Sequence, residues 1–487
     1  MNPWAMHTMT SSSPQPLDFN TPALQRKRRI RALKDRLANW YVSIGGLAVL
    51  GAITLIFFYL AYVVLPLFGG AELRTQPLPA PAWLATQSQP LLLAIEEQNQ
   101  VAMHLDRQGN VQFFDLESGV ARKQVRLPIP DSAQITSVAE DQPGTHRVAL
   151  GLSNGQVLVI QHSYLITYPN NVKTIAPEVL YPFGEAPIRL DPQGRALEHV
   201  SLNLNGSTLT LAASTGTEIH TLQLEREENL LTGESTLSEQ RLQLPQIAEP
   251  VTALAIDPRQ QWLYVFNGRA TADVFDLRKK SLNGRYSLAR NADTQVTSVS
   301  PLLGGVSLMV GDSQGGIAQW FMVRNAEGKA TLTRIRDFQL GQKPIVQILP
   351  EERRKGFVAL DNSGQLGVFH STAHRTLLVE KVAGAQPMAA MSPRANTLLV
   401  QSEGRLQRLT LDNPHPEVSW SALWGKVWYE SYDEPKYVWQ STSANTDFEP
   451  KLSLAPLAFG TLKAAFYAMI LAAPLAICAA IYTAYFM

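Results

Sequence analysis

VAMHLDRQGNVQFFDLESG, residues 101–119, reads as two short apolar strands separated by a turn at Gly109. A strand, a Gly/Asn/Ser turn and a second alternating strand form the signature of a β-hairpin. The phrase recurs as RVALGLSNGQVLVIQHS (147–163), LTLAASTGTEIHTLQLE (209–225) and WLYVFNGRATADVFDLRK (262–279). SLMVGDSQGGIAQWFMV (307–323), GFVALDNSGQLGVFHST (356–372) and TLLVQSEGRLQRLTLDN (397–413) bring the copies to seven. The turn glycines are assigned to Gly109, Gly155, Gly216, Gly268, Gly316, Gly364 and Gly404, a spacing of about 50 residues, which is the length of one four-stranded unit.

Ahead of most hairpins stands a further apolar strand: ITSVAED (135–141), LEHVSLN (197–203), VTALAID (251–257), VTSVSPL (296–302), IVQILPE (345–351) and MAAMSPR (388–394). A three-strand phrase repeated this regularly fits the blades of a β-propeller, whose sheets pack radially and leave only short edges. A sandwich also contains many short strands, but without this repetition. The expected fold is therefore all-β, a seven-bladed, WD40-like propeller over 86–414. Closing the ring requires a strand from the other end of the chain. PAWLATQ (81–87) and PLLLAIEEQ (90–98) are the two choices.

Composition agrees with a large folded chain. Of 487 residues, 45% are hydrophobic and 17% charged, which excludes general disorder, and the single Cys478 excludes a disulfide scaffold. The net charge of +1 excludes a uniformly basic nucleic-acid binder and conceals a strong asymmetry. Seven basic residues and one acid lie between Arg26 and Arg36, directly before an uncharged run from Leu37 to Ala71. Its most apolar part, Ile44–Phe68, is long enough to cross the hydrocarbon layer, with Trp40, Tyr41, Tyr59 and Tyr62 near its ends. A cleaved signal would have a shorter apolar core nearer the N-terminus. Basic flanks stay on the cytoplasmic side, so the expected topology is a cytoplasmic N-terminus and a propeller outside, which the resemblance given below would make the periplasmic side of a bacterial inner membrane. A second uncharged run, Ala464–Met487, reads as another membrane helix, and the end of the sequence within it reads as the mark of a partial chain. The resulting map is a basic tail at 1–42, a membrane helix at 43–68, a Pro/Gly-rich linker at 69–85, the propeller at 86–414, an aromatic segment at 415–455 and a second membrane helix at 456–487.

Within the aromatic segment, Trp420, Trp424 and Trp428 are spaced to share one face of a helix, expected to lie in a membrane interface. A base-stacking platform would need a basic groove beside it, so nucleic acid is not an expected partner. No phosphate-binding loop, H-E-x-x-H, C-x-x-C or G-x-S-x-G motif occurs. His370 and His374 are expected to be a surface pair without metal, and EERRK (351–355) and RKK (278–280) to be solvated charge runs. Quinone-dependent propeller enzymes carry tryptophan-rich blades, whereas the blades here contain only Trp262 and Trp320. These observations point to a non-enzymatic chain without cofactor or metal.

The C-terminal stretch FEPKLSLAPLAFGTLKAAFYAMILAAPLAICAAIYTAYFM (448–487) resembles the opening of the permease domain of phosphate ABC importers of the PstC type. The matching residues are Phe459-Gly460-Thr461-Leu462, Pro474-Leu475 and Ala480-Ile481-Tyr482-Thr483, with the aromatic segment Trp424–Pro435 upstream. The resemblance implies an inner-membrane permease subunit working with a second permease subunit, a cytoplasmic ATPase subunit and a periplasmic phosphate-binding protein, the propeller being a docking or regulatory insertion. The alternative is a membrane-anchored propeller that acts as a scaffold for envelope proteins.

Overall fold

A computed structural model describes residues 22–79, 81, 83–84, 90–228, 235–444 and 448–486. The chain forms two compact units, one ending at Leu67 and the other beginning at Phe68. In the first, a helix runs from Pro22 to Val64. It starts well before the expected boundary at residue 43, because the Arg/Lys/Leu/Ala-rich stretch ahead of the apolar run consists of good helix formers with no glycine or proline to stop it. The first 21 residues of the expected tail lie outside the described residues.

The second unit is a seven-bladed propeller. Blades 1 to 6 begin with the inner strands Pro90–Ile95, Ile135–Glu140, His199–Asn205, Val251–Ile256, Val296–Pro301 and Ile345–Pro350, and blade 7 begins with Met388–Met391. Each blade continues outward through antiparallel neighbours. Blade 2 has a fifth strand, because its long third strand Gln156–Thr167 pairs with both Thr174–Leu180 and Ile188–Arg189. Seven separate apolar clusters fill the seven gaps between neighbouring blades. That arrangement explains why middle strands such as Val101–Asp106 are buried at every position: each has a neighbouring blade on both faces.

The ring closes differently from expectation. The outer strand of blade 7 is Glu72–Pro77, which runs antiparallel to Arg405–Asp412 with Glu72 opposite Asp412 and Pro77 opposite Gln407. PLLLAI is instead the inner strand of blade 1, and residues 82 and 85–87 of PAWLATQ lie outside the described residues. ELRTQP falls within the stretch expected to be a Pro/Gly-rich linker. As an outermost strand it buries little, so polar residues suffice, and Pro77 sits at its end where a missing N–H costs least.

The hairpin turns follow the predicted spacing with two shifts. Gly109, Gly155, Gly216, Gly364 and Gly404 adopt positive φ. In blade 4 the left-handed residue is Ala270 rather than Gly268, and in blade 5 it is Gly315 rather than Gly316. Several of these turns are held by an Asp that ends the second strand of its blade. Asp106 accepts from the amides of Gln108 and Asn110, Asp312 from those of Gln314 and Gly316, and Asp361 from those of Ser363 and Gln365, all at 2.8–2.9 Å. The inner strands of blades 1, 2, 4, 5 and 6 carry a register shift at the second residue, a bulge that bends the strand where it lines the axis.

Candidate functional site

The inner strands surround a cavity of about 410 Å³ on the propeller axis. Its walls combine apolar residues, among them Leu93, Val138, Leu254, Val299 and Ile348, with Ser137, Ser201, Asn203 and Gln347. One mouth is formed by the loops that join the first and second strands of the blades. The blade 2 loop, 141–146, reaches over it: a Cβ added to Gly144 would lie 3.3 Å from Glu352 Oε2 of blade 6, and one added to Gly305 of blade 5 would lie 3.4 Å from Gln142 Cδ.

This mouth is acidic. Glu140 is open to the space of the cavity but walled by inner strands, and that burial lifts its carboxyl to about 7. Glu352 is also raised to about 7, first by burial and then by the charge of Glu140. Asp141 lies beside them and is bound by Arg147, whose Nη2 is 2.7 Å from Asp141 Oδ2. Above it the rings of His146 and His162 meet edge-on at 4.8 Å, and burial lowers both imidazoles, His162 to about 3. No three His, Cys, Asp or Glu side chains are grouped to hold a metal ion among the described residues.

The same face of the ring carries the loops between third and fourth strands, and there the chain enters and leaves the propeller. Arg375, the first residue of the outer strand of blade 6, donates to the carbonyl oxygens of Phe68 and Gly69 at 2.7 and 2.6 Å and to that of Val418 at 2.7 Å. Phe68 stacks on Trp420 with ring centroids 5.0 Å apart. Residues 420–444 and 448–453 then cross the edges of blades 5 and 6 on a buried polar network. Lys355 donates from Nζ to Glu430 Oε2 and to Leu303 O, both at 2.6 Å. Arg336 donates to Gln319 Oε1 at 2.6 Å and to the carbonyl of Trp428. Thr372 donates to Glu449, which also accepts the amide of Glu430 at 3.0 Å. Lys451 Nζ lies 4.9–5.8 Å from the ring centroids of Phe448, Tyr429 and Tyr432, a cation–π cage filled by the chain's own lysine.

The predicted site residues divide accordingly. Trp420 and Trp424 lie on a helix of five residues, Trp420–Trp424, capped by Ser419 and ended by Gly425. Trp428 falls beyond it, half-buried against Phe321, so the three tryptophans do not share one helix face. Gly425 is the signal that breaks the periodicity. Gly460, Thr461, Leu462, Pro474 and Tyr482 lie on the C-terminal helix Ala455–Phe486 and are exposed along it. That helix and the stretch Gln25–Phe68 are each long and apolar enough to cross a membrane. His370 is buried rather than on the surface, and its Nδ1 accepts the amide of Ala373. EERRK is not a solvated run either: Glu351 and Lys355 are 1% and 2% exposed, Glu351 paired with Arg354 and Lys355 with Glu430 of the crossing segment. Arg278, Lys279 and Lys280 are exposed, as expected.

No family model matches the chain, and no curated protein matches it. Among solved structures, it is similar to a chain of the crystal structure titled Mitotic Checkpoint Complex, at 13% identity and a TM-score of 0.43 over 69% of this chain and 93% of the other. It is also similar to the β-propeller domain of Cps50 (Swd1) from Myceliophteria thermophila, at 12% identity and a TM-score of 0.45 over 66% of this chain and 96% of that domain. The resemblance of 448–487 to phosphate importer permeases is therefore not upheld. No permease family matches, and the described residues contain two apolar helices around a propeller rather than a multi-span bundle. The second permease subunit, the ATPase subunit and the phosphate-binding protein were expected from that resemblance alone and fall with it. The seven-bladed, WD40-like propeller stands on its own strand pairing.

Proposed function

We propose that this chain is a membrane-tethered propeller that acts as a docking scaffold for proteins and catalyses no reaction of its own. The observation that carries the reading is the grip of Arg375 on both Phe68–Gly69 and Val418. The segment following one apolar helix and the segment preceding the other are thereby fastened to a single blade. A rigid ring held at both ends in this way presents its loops in a fixed orientation, which suits protein docking. The basic residues Arg26–Arg36 support a cytoplasmic N-terminus and, with it, a propeller on the opposite, periplasmic side of a bacterial inner membrane. Exposed Trp420, Trp424, Tyr437 and Trp439, close to the start of the C-terminal helix, match the amphipathic aromatic residues that settle at a headgroup layer.

Carbonate extraction of membranes and labelling of cysteines introduced on outer strands, for example Ser281→Cys, test this reading. The protein should stay in the membrane pellet and react with an impermeant maleimide added from the periplasmic side only. Release into the soluble fraction, or labelling only after the membrane is opened, would overturn it. The docking role is tested by site-specific crosslinking from the mouth loops and from the outer strands. Crosslinks to one defined protein from the loops but not from the outer strands are expected, and equal yields from both would refute docking at that face.

A further inference from the structure

Blade 2 carries a hairpin that runs beyond the body of its sheet. Its third strand, Gln156–Thr167, pairs with the second as far as Gln161, opposite Arg147, and residues 162–167 continue past it, paired with 174–179. The base of the hairpin is fixed. Tyr164 meets Phe113 of blade 1 edge-on at 6.1 Å, Ile175 is buried in the cluster between blades 1 and 2, and Lys123 of blade 1 donates to the carbonyl of Pro177 at 2.9 Å. The tip turns at Asn170 and Asn171, both left-handed, and leaves Tyr168 and Val172 65% and 64% exposed. Ten large hydrophobic residues are exposed between residues 90 and 412 among those described, and five of them, Leu165, Ile166, Tyr168, Val172 and Leu180, lie on this hairpin. Scattered exposed apolar side chains are ordinary, but such a concentration marks a contact surface.

Two observations indicate what it contacts. The first is position. The third and fourth strands of a blade are joined on the mouth face, so the tip lies on the face where the chain enters at Phe68 and Gly69. The segment before the C-terminal apolar helix is fastened there too, Ser419 donating from Oγ to Ala373 O at 2.8 Å and the Leu454 amide to Leu423 O at 2.7 Å. Blade 2 stands three blades from both blade 5 and blade 6, across the ring from that segment. The second is chemistry. Residues 163–177 contain no Asp or Glu and one lysine, Lys173, whose Nζ donates to Gln98 Oε1. Apolar side chains with a tyrosine and a lysine suit the headgroup layer of a bilayer. A tip of four apolar side chains is far smaller than the roughly 20–30 residues a side of a standard protein interface.

We propose that this hairpin is a second membrane contact: Tyr168 and Val172, with Leu165 and Ile166 behind them, enter the headgroup layer, and Lys173 faces the lipid phosphates. The inference rests on the membrane-tethered reading and adds to it a seat across the ring from the C-terminal tether. Held at two places on opposite sides of its axis, the ring keeps its mouth face towards the membrane. The mouth loops between these places stay open to a partner at the membrane surface.

The full chain, in a Cys478→Ser background, is reconstituted into vesicles of phosphatidylethanolamine and phosphatidylglycerol, with part of the lipid brominated at the headgroup end of its acyl chains. A bimane label is attached in turn at Val172→Cys, at Leu462→Cys on the C-terminal helix, and at Arg269→Cys. Arg269 is exposed in the turn between the second and third strands of blade 4, on the face opposite the mouth. Brominated lipid should reduce the fluorescence of the Val172→Cys and Leu462→Cys labels and leave the Arg269→Cys label unchanged. Tyr168→Asp, a substitution at an exposed position, should abolish the loss at Val172→Cys and preserve that at Leu462→Cys. Loss at Leu462→Cys without loss at Val172→Cys would overturn the hairpin contact and leave the tether standing, whereas no loss at either would overturn both. Undiminished loss at Val172→Cys in the Tyr168→Asp variant would show that the label, not the hairpin, enters the lipid, and would overturn the proposal. Crosslinking of the tip to one protein in cells, without quenching in vesicles, would also overturn it by assigning the tip to that partner.

Discussion

Arg375 donates from Nη2 to the carbonyl oxygen of Phe68 at 2.7 Å, so a blade 6 residue holds the segment that enters the propeller. The same guanidinium holds Gly69 and Val418, and only its planar, multi-donor shape can serve carbonyls from two chain segments at once. Arg375→Ala should cost about 2 kcal/mol in urea unfolding, and Arg375→Lys should recover only part of it. Both variants should be cleaved faster by protease within 66–77. Parental midpoints and cleavage rates in the two variants would show that the clasp does not hold these segments.

The closing strand offers a test of register. Arg74 lies opposite Thr410, and directly opposed residues of an antiparallel pair are close enough for a disulfide. Arg74→Cys with Thr410→Cys, in a Cys478→Ser background, should crosslink under mild oxidation. The bond closes a loop of more than 300 residues around the ring and should stabilise it by about 2–4 kcal/mol, read as a higher melting temperature of the oxidised form. Arg74→Cys with Leu406→Cys, placed out of register, should not crosslink. Equal crosslinking of both pairs would rule out the assigned register.

Legibility in the sequence followed burial. The middle strands, packed on both faces, are dense runs of Val, Leu, Ile and Ala, and the inner strands, half-buried along the axis, keep a shorter apolar pattern from which six of the seven are legible. Outer strands such as Glu72–Pro77 contact the core on one side only, so ELRTQP gave no periodic signal. The turn Asp residues 106, 312 and 361 stand three positions before Gly109, Gly315 and Gly364, a spacing that was visible and would have moved the blade 5 turn to its correct glycine. The cavity mouth was not legible. Glu140 and Glu352 are more than 200 residues apart, and only ring closure makes them neighbours. Lys355 likewise read as a surface charge, since its burial depends on Glu430 from a segment whose path over the blades has no local code.

That buried pair is itself a test of how firmly residues 420–444 are fastened. Lys355 is 2% exposed and Glu430 is raised by burial, first among several influences. Lys355→Met leaves the carboxylate buried without its cation, at a cost of about 3–5 kcal/mol. Adding Glu430→Gln removes the uncompensated charge, so the double variant should be more stable than Lys355→Met alone. A double-mutant cycle in urea measures this directly. Additive losses would mean that the two side chains do not interact.

The mouth carboxylates give stability a pH dependence of definite sign. Glu140 and Glu352 start from 4.5 when unfolded and reach about 7 in the folded chain, so the folded state binds more protons between these values. Stability attributable to them is therefore complete below about 4.5 and declines as pH rises through 7. The facing groups are Glu97, Asp141, Arg147 and Arg353, together with His146 and with His162, which is held near 3 and stays neutral throughout this window. Glu140→Gln removes one titrating member and the repulsion it exerts on Glu352. Its melting temperature should match the parent at pH 5 and exceed it at pH 8, by a modest margin because Glu140 opens on the cavity's solvent. A difference that stays constant from pH 5 to 8 would place Glu140 outside the strained pair. A gain confined to high pH would mean that the unmodified ring carries the cost of an ionised Glu140 facing Glu352.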